Sequence, residues 1–337
     1  MSKTVLLTGV SGYIGLHCAQ QLLNAGYVVR GSVRNEAKAK SVKETLSAAS
    51  VDTENLSIVS LDLMSDEGWD ETTSGCDYVM HVASPFVIAN PKNADEMILP
   101  AVDGTLRMLK AAKKAGVQRV VLTSSALSMM GSMKTGTFGP DDWTDTNAAD
   151  VSVYTKSKTL AEKAAWDFIA QQSGDHALDM VSINPGGVFG PPLGRDITGQ
   201  SMSMLDQMLR GKMPMVPNAA FPMVDVRDVA MLQVQALENP NAVGKRVIAA
   251  SDKPYGFVEV AQTLIDEGYK GPSVRIAPNF LLRFMALFDR EANGLLGFLD
   301  MNINADTSQT RAVFNWDPRP LHESVLDSAN AVKAITS

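Results

Sequence analysis

A chain of 337 residues with 45% hydrophobic and 20% charged side chains has the balance of an ordinary globular protein, long enough for one main domain and a smaller companion. Its net charge of −7, with no basic run, argues against a nucleic-acid surface. The two cysteines, Cys18 and Cys76, make no disulfide framework, no apolar run is long enough to cross a membrane, and His17, His81, His176 and His322 share no metal-ligand spacing, so a cytoplasmic protein without a metal is expected.

Met1-Ser2-Lys3 runs straight into a β-forming apolar stretch, residues 4–8, which leaves no room for a signal peptide. That stretch stops at Gly9, and apolar periodicity predicts a helix over 14–25. Strand, glycine turn and helix are the parts of a dinucleotide-binding unit, here spaced G-x-x-G-x-x-G rather than G-x-G-x-x-G. Gly9 suits the sharp turn, Gly12 leaves room for a pyrophosphate, and Gly15 lets the helix lie close to the sheet. Free N–H groups of the first helical turn then face the phosphates. Cofactor contacts are therefore expected from Thr8, Gly9, Gly12, Tyr13, Ile14 and Gly15. A ligand-free tight turn is the plainer alternative, disfavoured by the place of the motif between strand and helix.

Further strands are predicted over 27–33, 56–61, 78–82, 119–124 and 178–183, with helices over 36–48, 96–115 and 152–172. This alternation predicts an α/β fold, a Rossmann-type doubly wound parallel sheet covered on both faces. After Asn184 glycine and proline become dense, a helix over 202–210 follows, and short strands mix with helices. Residues 1–184 are thus expected to form the dinucleotide-binding domain. Residues 185–337 are expected to form mainly a smaller C-terminal α/β substrate lobe, with segments returning to the first domain. Ligands of such sheets bind beyond the C-terminal strand ends, which draws attention to Val82, Ala83 and Ser84 as cofactor contacts.

The second strand ends without the acid that usually holds an NAD ribose. Arg34 follows it, and Lys38 lies one helical turn on. A guanidinium can fork onto a 2′-phosphate and an ammonium can add charge, so NADP(H) is favoured. Glu36 could instead bind a ribose, and both cations could be plain surface charges. Asp62 and Leu63, just after the third strand, fall beside the expected adenine, where Asp62 could equally cap a helix.

Tyr154 and Lys158 stand four residues apart on one helix face. A free tyrosine titrates near pH 10, and a neighbouring ammonium lowers that value, so Tyr154 can pass a proton to a carbonyl oxygen. Ser125, at the end of a predicted strand, can hydrogen-bond the same oxygen. Alone, such a pair is a chance surface pattern and such a serine a strand-end cap. Together on a dinucleotide fold they point to carbonyl chemistry.

With these residues in place the chain resembles the extended short-chain dehydrogenase/reductases, in the branch of dihydroflavonol reductases and yeast-type methylglyoxal or ketone reductases. Beyond the glycine loop, Ser125, Tyr154 and Lys158, the likeness includes His81-Val82-Ala83-Ser84-Pro85, Pro100-Ala101-Val102-Asp103-Gly104-Thr105 and Lys156-Ser157-Lys158-Thr159-Leu160-Ala161-Glu162. It continues through Asn184-Pro185-Gly186-Gly187-Val188-Phe189-Gly190-Pro191 and Val224-Asp225-Val226-Arg227-Asp228. The resemblance implies that Lys158 also binds the nicotinamide ribose and that Pro185, Gly187 and Val188 frame the carboxamide. Ala101, where sugar-nucleotide epimerases usually have Asn, and Ala83-Ser84-Pro85 in place of a plain Ala-Ala, point to the reductase branch. The Asn-Trp-Tyr-Cys-Tyr run of cinnamoyl-CoA reductases is absent, which argues against a CoA thioester.

The loops expected over the nicotinamide offer Phe86, Met129, Met130 and Phe221 as an apolar, deformable substrate pocket. The expected activity is NADPH-dependent reduction of a small apolar or aromatic aldehyde or ketone. Its rivals are an epimerase or dehydratase of the same superfamily and a non-catalytic NADP(H) sensor. Whether the chain is a monomer or a dimer is left open.

Overall fold

Seven short runs, mostly of β-branched and aliphatic residues, pair into one parallel sheet: β1 (Thr4–Thr8), β2 (Val28–Val33), β3 (Leu56–Ser60), β4 (Tyr78–His81), β5 (Arg119–Thr123), β6 (Asp179–Pro185) and β7 (Arg246–Ala249). The computed structural model describes residues 2–84, 91–174 and 177–336. Phe86 and His176 lie outside the described residues.

The strands lie in the order β7-β6-β5-β4-β1-β2-β3, so the winding reverses between β1 and β4. Ligands of open parallel sheets collect at such a reversal. Thr8 pairs with His81, which brings both strands to an end at the same level.

Period-two alternation divides the core. Val5 and Leu7 point to a cluster with Leu16 and Leu22 of α1 (Tyr13–Asn24) and with Val42 and Leu46 of α2 (Glu36–Ala48). Leu6, between them, points to the other face, against Met108 and Leu109 of α3 (Asp95–Lys114) and Ala165 of α4 (Val153–Ala170). The helix α5 (Val226–Ala236) packs beside α1. The doubly wound sheet expected from the alternation is therefore present, and β7 extends it past β6.

A second core of Phe138, Phe189, Met202, Phe221, Phe257, Met301 and Ile303 lies beside the sheet. It is bounded by a parallel pair, Gly187–Phe189 with Met223–Asp225, and by a four-stranded sheet of Thr135–Phe138, Ala220–Phe221, Tyr255–Gly256 and Asn302–Ala305. Thr135–Phe138 falls between the strand predicted over 119–124 and the helix predicted over 152–172, where no strand was predicted. Its partner Asn302–Ala305 lies far along the chain, so no local pattern announces it. Among the described residues no helix is long and apolar enough to cross a membrane, and no cluster of His, Cys, Asp and Glu could hold a metal.

Candidate active site

The glycine turn is shaped by contacts that a side chain would spoil. Gly9 has φ +70°, and a Cβ there would lie 2.8 Å from the Ala83 backbone. A Cβ on Gly15 would come within 2.2 Å of the Gly9 carbonyl oxygen, so the close neighbour is the turn itself. Gly12 is different: its Cβ would meet nothing nearer than that carbonyl, at 3.4 Å. Gly12 also precedes α1 with no side-chain cap, which leaves the first N–H groups, those of Tyr13 and Ile14, without a capping side chain. An open backbone cradle at a helix N-terminus fits the pyrophosphate of a dinucleotide.

Thr8 supports this cradle from behind. Its hydroxyl is buried and accepts the N–H groups of Val82 and Ala83, both at 3.1 Å. Its own hydrogen is then left for His81 Nδ1 at 2.9 Å, which puts the ring proton on Nε2. Burial holds His81 down to about 3, so the ring is neutral at physiological pH. Thr8 thus sets the path of the chain through Val82, Ala83 and Ser84, and its hydroxyl is already committed. The Tyr13 hydroxyl is likewise spent, donating to the Gly190 carbonyl at 2.6 Å.

Arg34 is exposed just past the C-terminal end of β2. Lys38 is not a free cation: its Nζ pairs with Asp196 at 3.3 Å, both side chains being about half exposed. The Asp62 carboxylate accepts the Met64 N–H at 2.9 Å, closing a turn instead of capping a helix. Leu63 lies against Gly104 of α3, where a Cβ would be 2.9 Å from its own.

Ser125 follows β5, and Tyr154 and Lys158 lie in the first turns of α4, whose N-cap Ser152 accepts the Thr155 N–H. The structure brings the three together. The Ser125 and Tyr154 side chains face each other closely enough to interact. Lys158 is buried, and its Nζ donates to the Thr123 carbonyl at 3.4 Å. Burial raises the Tyr154 pKa above its ordinary value while the nearby Ser125 hydroxyl opposes the rise. The phenol is therefore held neutral, the reverse of the lowered value expected beside an ammonium. Burial lowers Lys158 to about 8, against the pull of Glu162.

Nothing in the local sequence singles out Glu162, which reads as one more polar residue on a long helix. It is 1% exposed. Its carboxylate accepts from Arg246 Nε at 2.7 Å, Asn184 Nδ2 at 2.8 Å, Ser182 Oγ at 3.0 Å, Ser124 Oγ at 2.5 Å and the Ser128 hydroxyl. Arg246 stacks on Trp143 at 3.6 Å and donates to the Pro140 and Asp142 carbonyls. Asn184 Nδ2 also reaches the Ser125 carbonyl, at 3.3 Å.

Pro185 ends β6, and Gly187 and Val188 follow it. The Pro185 carbonyl accepts the Ala126 N–H at 2.8 Å, and Val188 pairs with Val224. Phe221 covers Gly187 so closely that a Cβ would come within 2.9 Å of its ring. Met129 and Met130, each 1% exposed, are packed into the second core; they back the wall and offer no open surface, which corrects their place in the expected lining.

Residues 5–250 match the NAD dependent epimerase/dehydratase family, to which this chain therefore belongs. A cinnamoyl-CoA reductase of Medicago truncatula is 35% identical over 265 residues, covering 77% of this chain and 79% of its own. The dihydroflavonol 4-reductase of Zea mays is 33% identical over 259 residues, covering 74% and 70%. Among solved structures, yeast methylglyoxal/isovaleraldehyde reductase Gre2 complexed with NADPH superposes with a TM-score of 0.80 at 23% identity, over 99% of both chains.

Proposed function

We propose that this chain is an NADPH-dependent reductase that turns apolar or aromatic aldehydes and ketones into alcohols. The observation that carries the reading is Ser125 and Tyr154 facing each other beside buried Lys158, at the end of a sheet whose glycine turn is cut to dinucleotide shape. The resemblance to reductases, one of them solved with NADPH, supports it.

Gly9, Gly12, Gly15 and the N–H groups of Tyr13 and Ile14 would hold the pyrophosphate. Arg34, with a share of Lys38, would hold the 2′-phosphate, beside Asp62 and Leu63 at the adenine. Val82, Ala83 and Ser84, ordered by Thr8, would line the middle of the site, and Pro185, Gly187 and Val188 its nicotinamide end. Bound there, the nicotinamide supplies hydride to the carbonyl carbon. Tyr154, as a neutral phenol, gives its proton to the carbonyl oxygen. Ser125 donates a hydrogen bond to the same oxygen while charge gathers on it. Lys158 opposes the negative charge left on the phenol. Phe221 supplies an apolar wall, consistent with an apolar substrate.

The dinucleotide-binding part consists of residues 1–184 without Thr135–Phe138, together with residues 185–188, α5 and β7, and the remainder mainly serves the substrate. The test is a panel of aldehydes and ketones scored by loss of NADPH absorbance, with product quantified by chromatography. One NADPH consumed per alcohol formed is expected. Turnover without net NADPH loss would mark an epimerase or dehydratase, and binding without any reduction a sensor; either would overturn the reading.

A further inference from the structure

Burying a carboxylate costs several kcal/mol unless partners replace its water. Glu162 has those partners, yet stability alone does not account for where it sits. It lies one helical turn beyond Lys158 on the same face of α4, and its oxygens reach the chain segment that carries Ser125. Ser124 and Ser128 flank Ser125; Ser124 donates to Glu162, and the single Ser128 hydroxyl hydrogen lies between Glu162 and the Ser125 carbonyl at 2.8 Å.

Lys158 has few other charges to answer to. From β4 it faces His81, which is neutral, and from β5 the Thr123 carbonyl. The buried residues of α3, against which α4 packs, include no ionisable side chain. Ser182 and Asn184 of β6 are uncharged, and Tyr154 on its own helix is a phenol. Arg246 of β7 is bound to Glu162 directly. Among the described residues, Glu162 is the anion that acts on Lys158.

Resting on the reading that Ser125, Tyr154 and Lys158 do the chemistry, we propose that Glu162 is their positioning residue: locked by Arg246, it fixes the turn of Ser125 and keeps the Lys158 ammonium charged. Through Arg246 the same carboxylate is tied to Trp143 and the carbonyls of Pro140 and Asp142, so the loop over 140–143 and the segment over 124–128 share one anchor.

The test titrates Lys158 by NMR in protein labelled with ¹³C-lysine, its signal identified by its loss in Lys158→Arg. Removing an opposite charge one helical turn away moves a midpoint by about one pH unit. Glu162→Gln should lower the Lys158 midpoint by that amount and carry the alkaline limb of carbonyl reduction down with it. Glu162→Asp, which keeps the charge and loses shape, should lower kcat but leave the limb at its wild-type pH. If Glu162→Gln does not fold, the double variant Glu162→Gln/Arg246→Gln removes both charges of the pair, and a smaller fall in the same direction is expected, because the positive charge of Arg246 leaves with the carboxylate. A midpoint unmoved by the loss of charge, or lowered equally by Glu162→Asp, would overturn the proposal. A Lys158 that titrates as expected in a protein that reduces no carbonyl would sink the proposed function alone, because the NMR midpoint needs no turnover.

Discussion

Gly12 and Gly15 are three residues apart in one motif, yet alanine should harm the protein in different ways at the two positions. At Gly15 the new methyl would stand 2.2 Å from the Gly9 carbonyl oxygen and 3.0 Å from Val10 Cα, both backbone atoms. About 1 Å of movement between α1 and the turn is needed to relieve that, and overpacking of this kind costs about 1–3 kcal/mol. At Gly12 the backbone is extended (φ −82°, ψ 168°) and the nearest atom is 3.4 Å away, so alanine fits without strain. The fold loses only the small preference for glycine over alanine at an N-cap, on the order of 1 kcal/mol or less. The methyl does occupy the face open to the pyrophosphate. Losing one charge-assisted hydrogen bond there removes about 1.5–3 kcal/mol, or roughly a tenfold to hundredfold rise in Kd for NADPH. Calorimetric titration with NADPH and thermal melting of the cofactor-free protein measure the two effects separately. Gly12→Ala should keep its Tm within a few degrees of wild type and lose affinity; Gly15→Ala should lose both. A Gly12→Ala protein that binds NADPH normally would refute the assignment of the cradle.

Tyr154→Phe removes one hydroxyl, so NADPH affinity should persist while kcat on a good aldehyde falls by about 10²–10⁴-fold in steady-state assays; an unchanged kcat would dismiss Tyr154 as the proton donor. Because Lys38 already answers Asp196, Arg34→Ala should raise the NADPH KM about tenfold relative to that for NADH, and Lys38→Ala by less; equal losses from both variants would contradict this division. Burial holds His81 near 3 and His17 near 4, both below the ordinary 6.5. The unfolded chain therefore binds more protons as pH falls, and stability that is complete above pH 6.5 should decline below it by about 1.4 kcal/mol per pH unit for each histidine. Urea unfolding at pH 7, 6 and 5 would show this, and a constant midpoint would exclude it.

The sheet was legible because its parts are local. Runs such as Val5-Leu6-Leu7 carry their own β preference, and Gly9 marks where the first must stop. Tyr154 and Lys158 were legible for the same reason, four residues on one helix. What escaped depends on partners brought from far away. Arg246 meets Glu162 across 84 residues, and Asp196 meets Lys38 across 158. Before those meetings are known, Glu162 looks solvated and Lys38 looks free. Met129 and Met130 failed for a related reason: an apolar residue in a loop near a site can face the ligand or the core, and composition does not distinguish the two.

The late strand β7 has a bearing on synthesis. It supplies both the outer edge of the sheet and the guanidinium that balances Glu162, and some sixty residues separate it from the end of β6. At about 5–20 residues per second, roughly 3–12 s pass on the ribosome between the two. During that interval the nascent chain already holds Tyr154, Lys158 and Glu162, but β6 is an open edge and the carboxylate lacks the guanidinium it is buried against. Closing the site is therefore a late act of translation, and a chain released before Arg246 would carry its reacting residues without the charge that sets them.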